Sequence, residues 1–166
     1  MKKQFRYLSR LILTGLLSVA LLLGPLANVF AVDISVTPGS VVVGTGATTM
    51  DVTAGETITA GQVCYLDATD SNKAKLAITT NAATAYARGI ALHGASSGQP
   101  LRLLVSGNFN PGGTAVVGKV YIVSDAAGGI APVTDTGTGE YVTVIGIGTT
   151  ASNIKVNFIV SGVAVP

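Results

Sequence analysis

The chain has 166 residues, a formal net charge of +2, 21 glycines, one cysteine and no tryptophan. A single cysteine cannot form an internal disulfide, which excludes the small scaffolds that depend on disulfides. All eight acidic residues follow Ala31, but only six of the ten basic residues do. The segment 32–166 is therefore slightly acidic and offers no basic patch for phosphates, which argues against nucleic-acid binding.

The segment 1–31 has the pattern of a secretory signal peptide. Basic residues come first, Leu11–Leu23 is apolar, and Val29-Phe30-Ala31 offers small residues at a cleavage site. The basic residues are Lys2, Lys3, Arg6 and Arg10. The alternative is an uncleaved anchor, because the segment 11–31 is long enough to span a bilayer. Cleavage predicts a secreted or cell-surface protein, and membrane contact is expected only through an uncleaved leader.

The segment 32–166 is rich in Val, Ile, Thr and Gly, which is typical of an all-β protein. Alternation of apolar and polar residues is clearest in 153–158. The predicted strands are Val41–Val43, Thr48–Val52, Gln62–Leu66, Lys75–Ile78, Arg88–Leu92, Leu101–Ser106, Lys119–Val123, Tyr141–Ile147 and Asn153–Val160. One short helix is predicted over Asn81–Ala87, with Asn81 as its N-cap. The spacing predicts a small barrel or sandwich of short antiparallel strands.

The second half of this region repeats the first. Gly61 and Gly89 recur as Gly118 and Gly146, both at an offset of 57 positions and within similar short runs. A Val-Ser-Gly pair, at 105–107 and 160–162, has an offset of 55 positions. The period predicts a duplicated supersecondary unit. We expect a signal peptide at 1–31, an N-terminal arm with strands at 32–55 and a duplicated domain at 56–166, with repeats at about 56–107 and 113–162.

Gly94-Ala95-Ser96-Ser97-Gly98 matches the G-x-S-x-G motif of serine hydrolases. That motif needs a following helix and a later histidine, but a predicted strand follows and the single histidine, His93, precedes it. A polar hairpin turn is the simpler interpretation. His93 has no second histidine and only Cys64 as a distant sulfur ligand, so a zinc site is not predicted. Cys64 itself is expected to be a buried, unreactive residue.

Two groups of carboxylates are further candidates for chemistry. The segment 67–72 could offer oxygens to calcium, but it lacks the glycine and the bidentate glutamate of an EF-hand loop, so an Asx-rich turn is expected. Glu56 and Glu140 could form a glycosidase pair, yet nothing in the sequence places them across a cleft. The sequence therefore predicts no enzyme: no catalytic, cofactor-binding or metal residues, and no cofactor.

The apolar segment Val41–Val43 is flanked by Gly44 and Gly46 and lies outside the repeat. An unpaired apolar strand promotes aggregation, so this one must join a sheet. It either completes the sheet of its own chain or reaches a neighbouring subunit. We expect the segment to reach a neighbouring subunit.

Three runs carry a resemblance to a known class of protein: 54–67, Arg88–Leu92 and Gly98–Gly107. Over the segment 53–162, the chain resembles the capsid decoration (cement) proteins and head-fibre domains of phage virions. The resemblance implies a non-enzymatic structural β module that forms a homo-oligomer, with a trimer favoured, on a capsid or surface lattice. Virion proteins normally carry no export signal, so the module belongs either to a virion or to an exported assembly. The alternative function is an exported adhesin or glycan-binding β module.

Overall fold

Antiparallel strands account for nearly all regular structure in the protein. The computed structural model describes residues 32–166, so the predicted leader lies outside the described residues. Ten strands form one curled sheet, and the single α-helix of this part of the chain has four residues. The all-β prediction is confirmed.

The strands are β1 Val42–Val43, β2 Thr48–Thr53, β3 Val63–Asp67, β4 Lys73–Leu76, β5 Ala87–Ala91, β6 Pro100–Asn110, β7 Val120–Val123, β8 Ile130–Pro132, β9 Tyr141–Gly148 and β10 Ile154–Ala164. The helix α1 spans Ala82–Ala85, and 3-10 turns cover Pro38–Ser40, Ala68–Asp70 and Val133–Asp135. Each predicted strand is present with shifted ends. Asn81 caps α1 as expected, because its side-chain oxygen accepts hydrogen bonds from the backbone N–H groups of Ala83 and Thr84.

The order of strands in the sheet shows the duplication. From one end it reads β4-β3-β5-β6, and from the other end β8-β7-β9-β10, with β6 and β10 paired where the two halves meet. Each strand of the second half thus occupies the place of its counterpart in the first. The two halves have the same topology, so the matching glycines reflect a repeated structure.

The register of the strands repeats as well. The pairs are Val63–Ile90, Cys64–Gly89 and Tyr65–Ala87 across β3 and β5, and Val120–Ile147, Tyr121–Gly146 and Ile122–Val144 across β7 and β9. Every residue of the second set lies 57 positions after its counterpart. Both ladders also contain an irregularity at the same step. A β-bulge bends its strand and increases the local twist, so a bulge at the same step gives both strand pairs the same shape.

The turns that enter β3 and β7 share backbone hydrogen bonds. The N–H of Gly61 donates to the carbonyl of Ala91, and at the same offset the N–H of Gly118 donates to that of Gly148. Gly61 and Gly118 both have a positive φ, of 86° and 77°. Residues other than glycine rarely adopt this conformation, which explains why both turns have glycine here.

β6 serves both repeats. In the first repeat, β2 lies beside β6, with Thr53 opposite Pro100 and Thr48 opposite Ser106. In the second repeat, the end of β6 itself lies beside β10, from Ser106 to Phe109. Thr53 is the last residue of β2, and the residue 57 positions later is Asn110, the last residue of β6. The first strand of the repeated unit is therefore β2, and β6 closes one repeat and opens the next.

The hairpin between the last two strands differs in length between the repeats. Ile90 lies opposite Leu104, but its counterpart Ile147 lies opposite Lys155, which is at an offset of only 51 positions from Leu104. The connection in the second repeat is therefore shorter. β10 then has two register shifts against β9. After the first of them, the two Val-Ser-Gly runs of the sequence are again 55 positions apart.

Two apolar clusters fill the fold. One lies within the first repeat, where Ala54 after β2 bridges Ala74 of β4 and so curls the strands around Cys64, Leu101 and Leu103. The other is built from both repeats, and joins Leu104 and Phe109 of β6 to side chains of the second repeat. The shared cluster makes the two repeats one packed unit.

The arm does not behave as expected. Val42 and Val43 pair with Asn110 and Phe109 of the same chain, so β1 completes its own sheet. The predicted crossing to a neighbouring subunit is not what the structure has. The sequence could not show this, because the free edge at the end of β6 arises only when β6 extends beyond Ser106.

Candidate association surface

The serine motif lies in a hairpin turn, as expected. The segment 94–98 connects β5 to β6, and a strand follows it instead of a helix. The Ser97 hydroxyl donates to the carbonyl of Gly55, and the backbone N–H of Ser96 donates to the Gln99 side chain. These bonds hold the turn, and the geometry is not that of a nucleophile elbow.

His93 lies beside this turn, and both of its ring nitrogens have partners. Nε2 accepts the backbone N–H of Arg102 at 3.1 Å, and Nδ1 lies 3.0 Å from the carbonyl of Gly94. The Arg102 side chain forms a two-point ion pair with Asp51, at 2.7 and 3.1 Å. The histidine that the sequence places at the end of a strand thus fastens β6 to the end of β5. Its nitrogens are engaged in structure.

The segment 67–72 is an Asx turn, as predicted. Asp67 accepts hydrogen bonds from the backbone N–H and the hydroxyl of Thr69, and its other oxygen lies 2.8 Å from Lys75 Nζ. Asp70 lies 2.8 Å from Lys73 and 3.3 Å from Lys75. The lysine and the hydrogen bonds from Thr69 hold the pKa of Asp67 well below its usual range. Two lysines thus occupy the carboxylates that a calcium ion would need.

The remaining chemical candidates also have structural partners. Glu56 accepts the backbone N–H of Leu76 at 2.6 Å, and Glu140 accepts that of Gly137 at 2.8 Å. Cys64 is fully buried, and burial, with the nearby Glu56 charge, raises the pKa of its thiol to about 12. Within residues 32–166, no three His, Cys, Asp or Glu side chains are grouped as a metal would require.

The C-terminal half of β10 has one side without a strand. β10 pairs with β9 along its length, but with β6 only from Ile154 to Asn157. Beyond that point β6 pairs with β5, at Leu104, and no longer with β10. The edge of 158–164 that faces away from β9 has no ladder partner among the described residues. We call this stretch the open edge.

The open edge is apolar and exposed. Ile159 is 59% exposed and Val163 is 69% exposed, high values for large aliphatic side chains in a strand. The chain has no charged residue from Asn157 to Pro166. Val163 has no partner on β9 at the register shift, and its N–H donates to the Ser161 hydroxyl instead. The valines after Phe158 are the sequence signal that could have predicted this extension of the strand.

Other edges and surfaces differ in composition. β4 carries Lys73 and Lys75, β2 carries Asp51, and β8 ends in Pro132. Charges and proline are the usual means by which a protein prevents its strand edges from pairing. The open edge of β10 lacks both.

No protein-family model matches this chain, and no curated protein matches it. Among residues 32–166, no helix is both long and apolar enough to cross a membrane.

Proposed function

We propose that this protein is a non-catalytic structural subunit of the decoration type, which associates with copies of itself and docks on a larger lattice. The observation that carries the proposal is the open edge of β10, an uncharged and exposed strand edge in a fold that protects its other edges. Strand edges and apolar surface of this kind mark association sites. The structural engagement of His93, Asp67, Glu56 and Glu140 supports it, because these chemically active groups hold turns and strands together.

The resemblance to phage decoration and head-fibre modules indicates the kind of assembly to which the protein would belong. It favours a homo-trimer on a capsid, and in that case the protein is part of a virion. With a cleaved leader, the same module would decorate an extracellular or cell-surface lattice. In either setting the function is mechanical, since the module covers or reinforces an assembly.

Light scattering on protein purified from cells that express the full chain tests the proposal. We expect a defined oligomer at micromolar concentration without any added ligand. A monodisperse monomer would contradict the proposal and favour an adhesin or glycan-binding module. Such a module should then gain thermal stability on adding its ligand, since a ligand that binds only the folded state raises Tm.

Mass spectrometry of the same protein separates the two settings. A mature N-terminus close to Val32 is expected for an exported lattice. An intact Met1 on a soluble particle would argue against export and for a virion protein assembled inside the cell.

A further inference from the structure

We infer that the open edge of β10 binds the open edge of β10 in a second copy of this chain, as an antiparallel strand pair around a two-fold axis. This inference rests on the proposed self-association and names the contact through which it would act. It makes the closed unit a dimer, in place of the trimer that the resemblance favours. Antiparallel pairing of identical strands is self-complementary, so it closes as a dimer and leaves neither edge open.

In the first repeat, the counterpart of β10 is β6, and other strands cover the edge of β6 that corresponds to the open edge. Along β6, the side that faces away from β5 is covered by β2 and then by β1, both antiparallel. Along β10, the strand pairing that residues 32–166 supply on the side that faces away from β9 is limited to the four residues of β6 from Ser106 to Phe109. The second repeat therefore lacks part of the antiparallel cover that β1 and β2 supply in the first.

The composition of the edges selects a second β10 as the occupant. Edges of β2 and β4 from another copy would bring Asp51, Lys73 or Lys75 against an uncharged strand. These side chains form ion pairs within their own chain, but taking a charge out of water is costly even in a pair. Two β10 edges bring only uncharged residues together, and no like charges face each other. Self-pairing is thus the contact that takes no charge out of water.

The register follows from the symmetry. β10 bulges at 161–163, where Gly162 has a φ of 68°. A two-fold axis at Ser161, the middle residue of 158–164, brings Ile159 of one copy beside Val163 of the other across this bulge. These are the two most exposed large apolar side chains of the strand. A cross-strand pair of aliphatic residues would remove both from water. Register shifts in β10 keep the paired stretch short, so the association should depend on protein concentration.

The test uses protein from cells that express the full chain, in three forms with one lysine each. Ile159→Lys and Val163→Lys each put a charge on the open edge, twice per dimer. Val42→Lys is the matched control, because Val42 is also a strand residue with 59% exposure but lies on β1. We expect each edge variant to raise the dimer dissociation constant by about tenfold or more, as the loss of two cross-strand pairs implies. The control should leave it unchanged.

A cross-linking experiment tests the register without relying on destabilised variants. Ser161→Cys should form a disulfide between copies on mild oxidation, since the two residues lie opposite each other at the axis. Ser152→Cys, at an exposed turn residue before β10, should not.

The outcomes separate the inference from the proposed function. An even-numbered assembly that weakens in both edge variants and cross-links through residue 161 supports both. A trimer, or any oligomer that the edge variants leave intact and residue 161 does not cross-link, overturns the β10 pairing but keeps the structural function. A monomer overturns both.

Discussion

Ser106 of β6 lies opposite Asn157 of β10, at the point where the two repeats meet. On its other side Ser106 lies opposite Thr48 of β2, so this one residue is paired in both repeats. The repeats are therefore joined by a continuous strand and its hydrogen bonds rather than by a linker. Separate motion of the two halves would require breaking β6 away from β10.

The first prediction concerns the two equivalent glycines that face a neighbouring strand. A Cβ on Gly89 would lie 2.7 Å from Leu103 Cβ, and a Cβ on Gly146 would meet the carbonyl of Lys155. We expect Gly89→Ala and Gly146→Ala each to lower the free energy of unfolding by about 1–3 kcal/mol, because the strands must separate to admit the methyl group. Urea denaturation measures the loss.

Gly39 supplies the matched control. A Cβ there would meet nothing within 4 Å, and its φ is not positive. Gly39→Ala should leave the urea midpoint nearly unchanged. Two repeats that share a register should respond alike, so a loss at one glycine with none at the other would contradict the equivalence.

The second prediction concerns the thiol of Cys64. Its pKa is raised to about 12 by burial and by the Glu56 charge, and the thiolate is the reactive form. We expect the native protein to react with a thiol reagent at about pH 8 far more slowly than a free cysteine does. Reaction should become fast and stoichiometric in denaturant. Rapid labelling of the native protein would show that the first repeat opens readily.

The third prediction concerns Asp67 and acid stability. Its pKa is lowered in the folded protein by Lys75 and Thr69, so its ionised form stabilises the fold. That stability is fully present above the unfolded pKa, about 4, and is lost as the pH falls through the lower folded value. Asp67→Asn should therefore lower Tm at pH 7, with a difference that shrinks below about pH 4. A difference that grows on acidification would contradict the ion pair.

The fourth prediction has the opposite sign. Partial burial, with Asp125 and Asp135 nearby, raises the pKa of Asp33 despite a hydrogen bond from the Ser124 hydroxyl at 2.9 Å. An acid with a raised folded pKa favours folding when protonated, so stability falls as the pH rises above the unfolded value. Asp33→Asn should raise Tm at pH 7, and the gain should vanish below about pH 4. The pH dependence of Tm in both variants measures the contrast with Asp67.

Much of the fold could be predicted because its signals are local. Alternating residues mark the start of β10, the side chain of Asn81 marks the start of α1, and glycines paired at a constant offset mark the duplication. The first two depend on a few neighbouring residues, and the third compares the sequence with itself, so none of them requires knowledge of the fold. The sequence does not indicate β8, because a three-residue strand that ends in Pro132 shows neither alternation nor length.

The candidate site was harder to predict because its defining property is a missing neighbour. Nothing near Ser106 in the sequence indicates that β6 changes partners from β5 to β10, since this depends on how the two hairpins diverge in space. The open edge at 158–164 follows from that divergence. The uncharged run after Asn157 was visible, but its meaning depends on which strands lie beside it.

β10, which follows the other nine strands in the sequence, lies in the middle of the sheet between β6 and β9. A chain still on the ribosome lacks this strand until all the others have been made, so its two repeats cannot be joined before then. The pairing of β10 with β6 connects residues that are far apart in the sequence, and such distant contacts form slowly. The completed sheet is thus a late product of folding, because the strand that joins its two halves is made last.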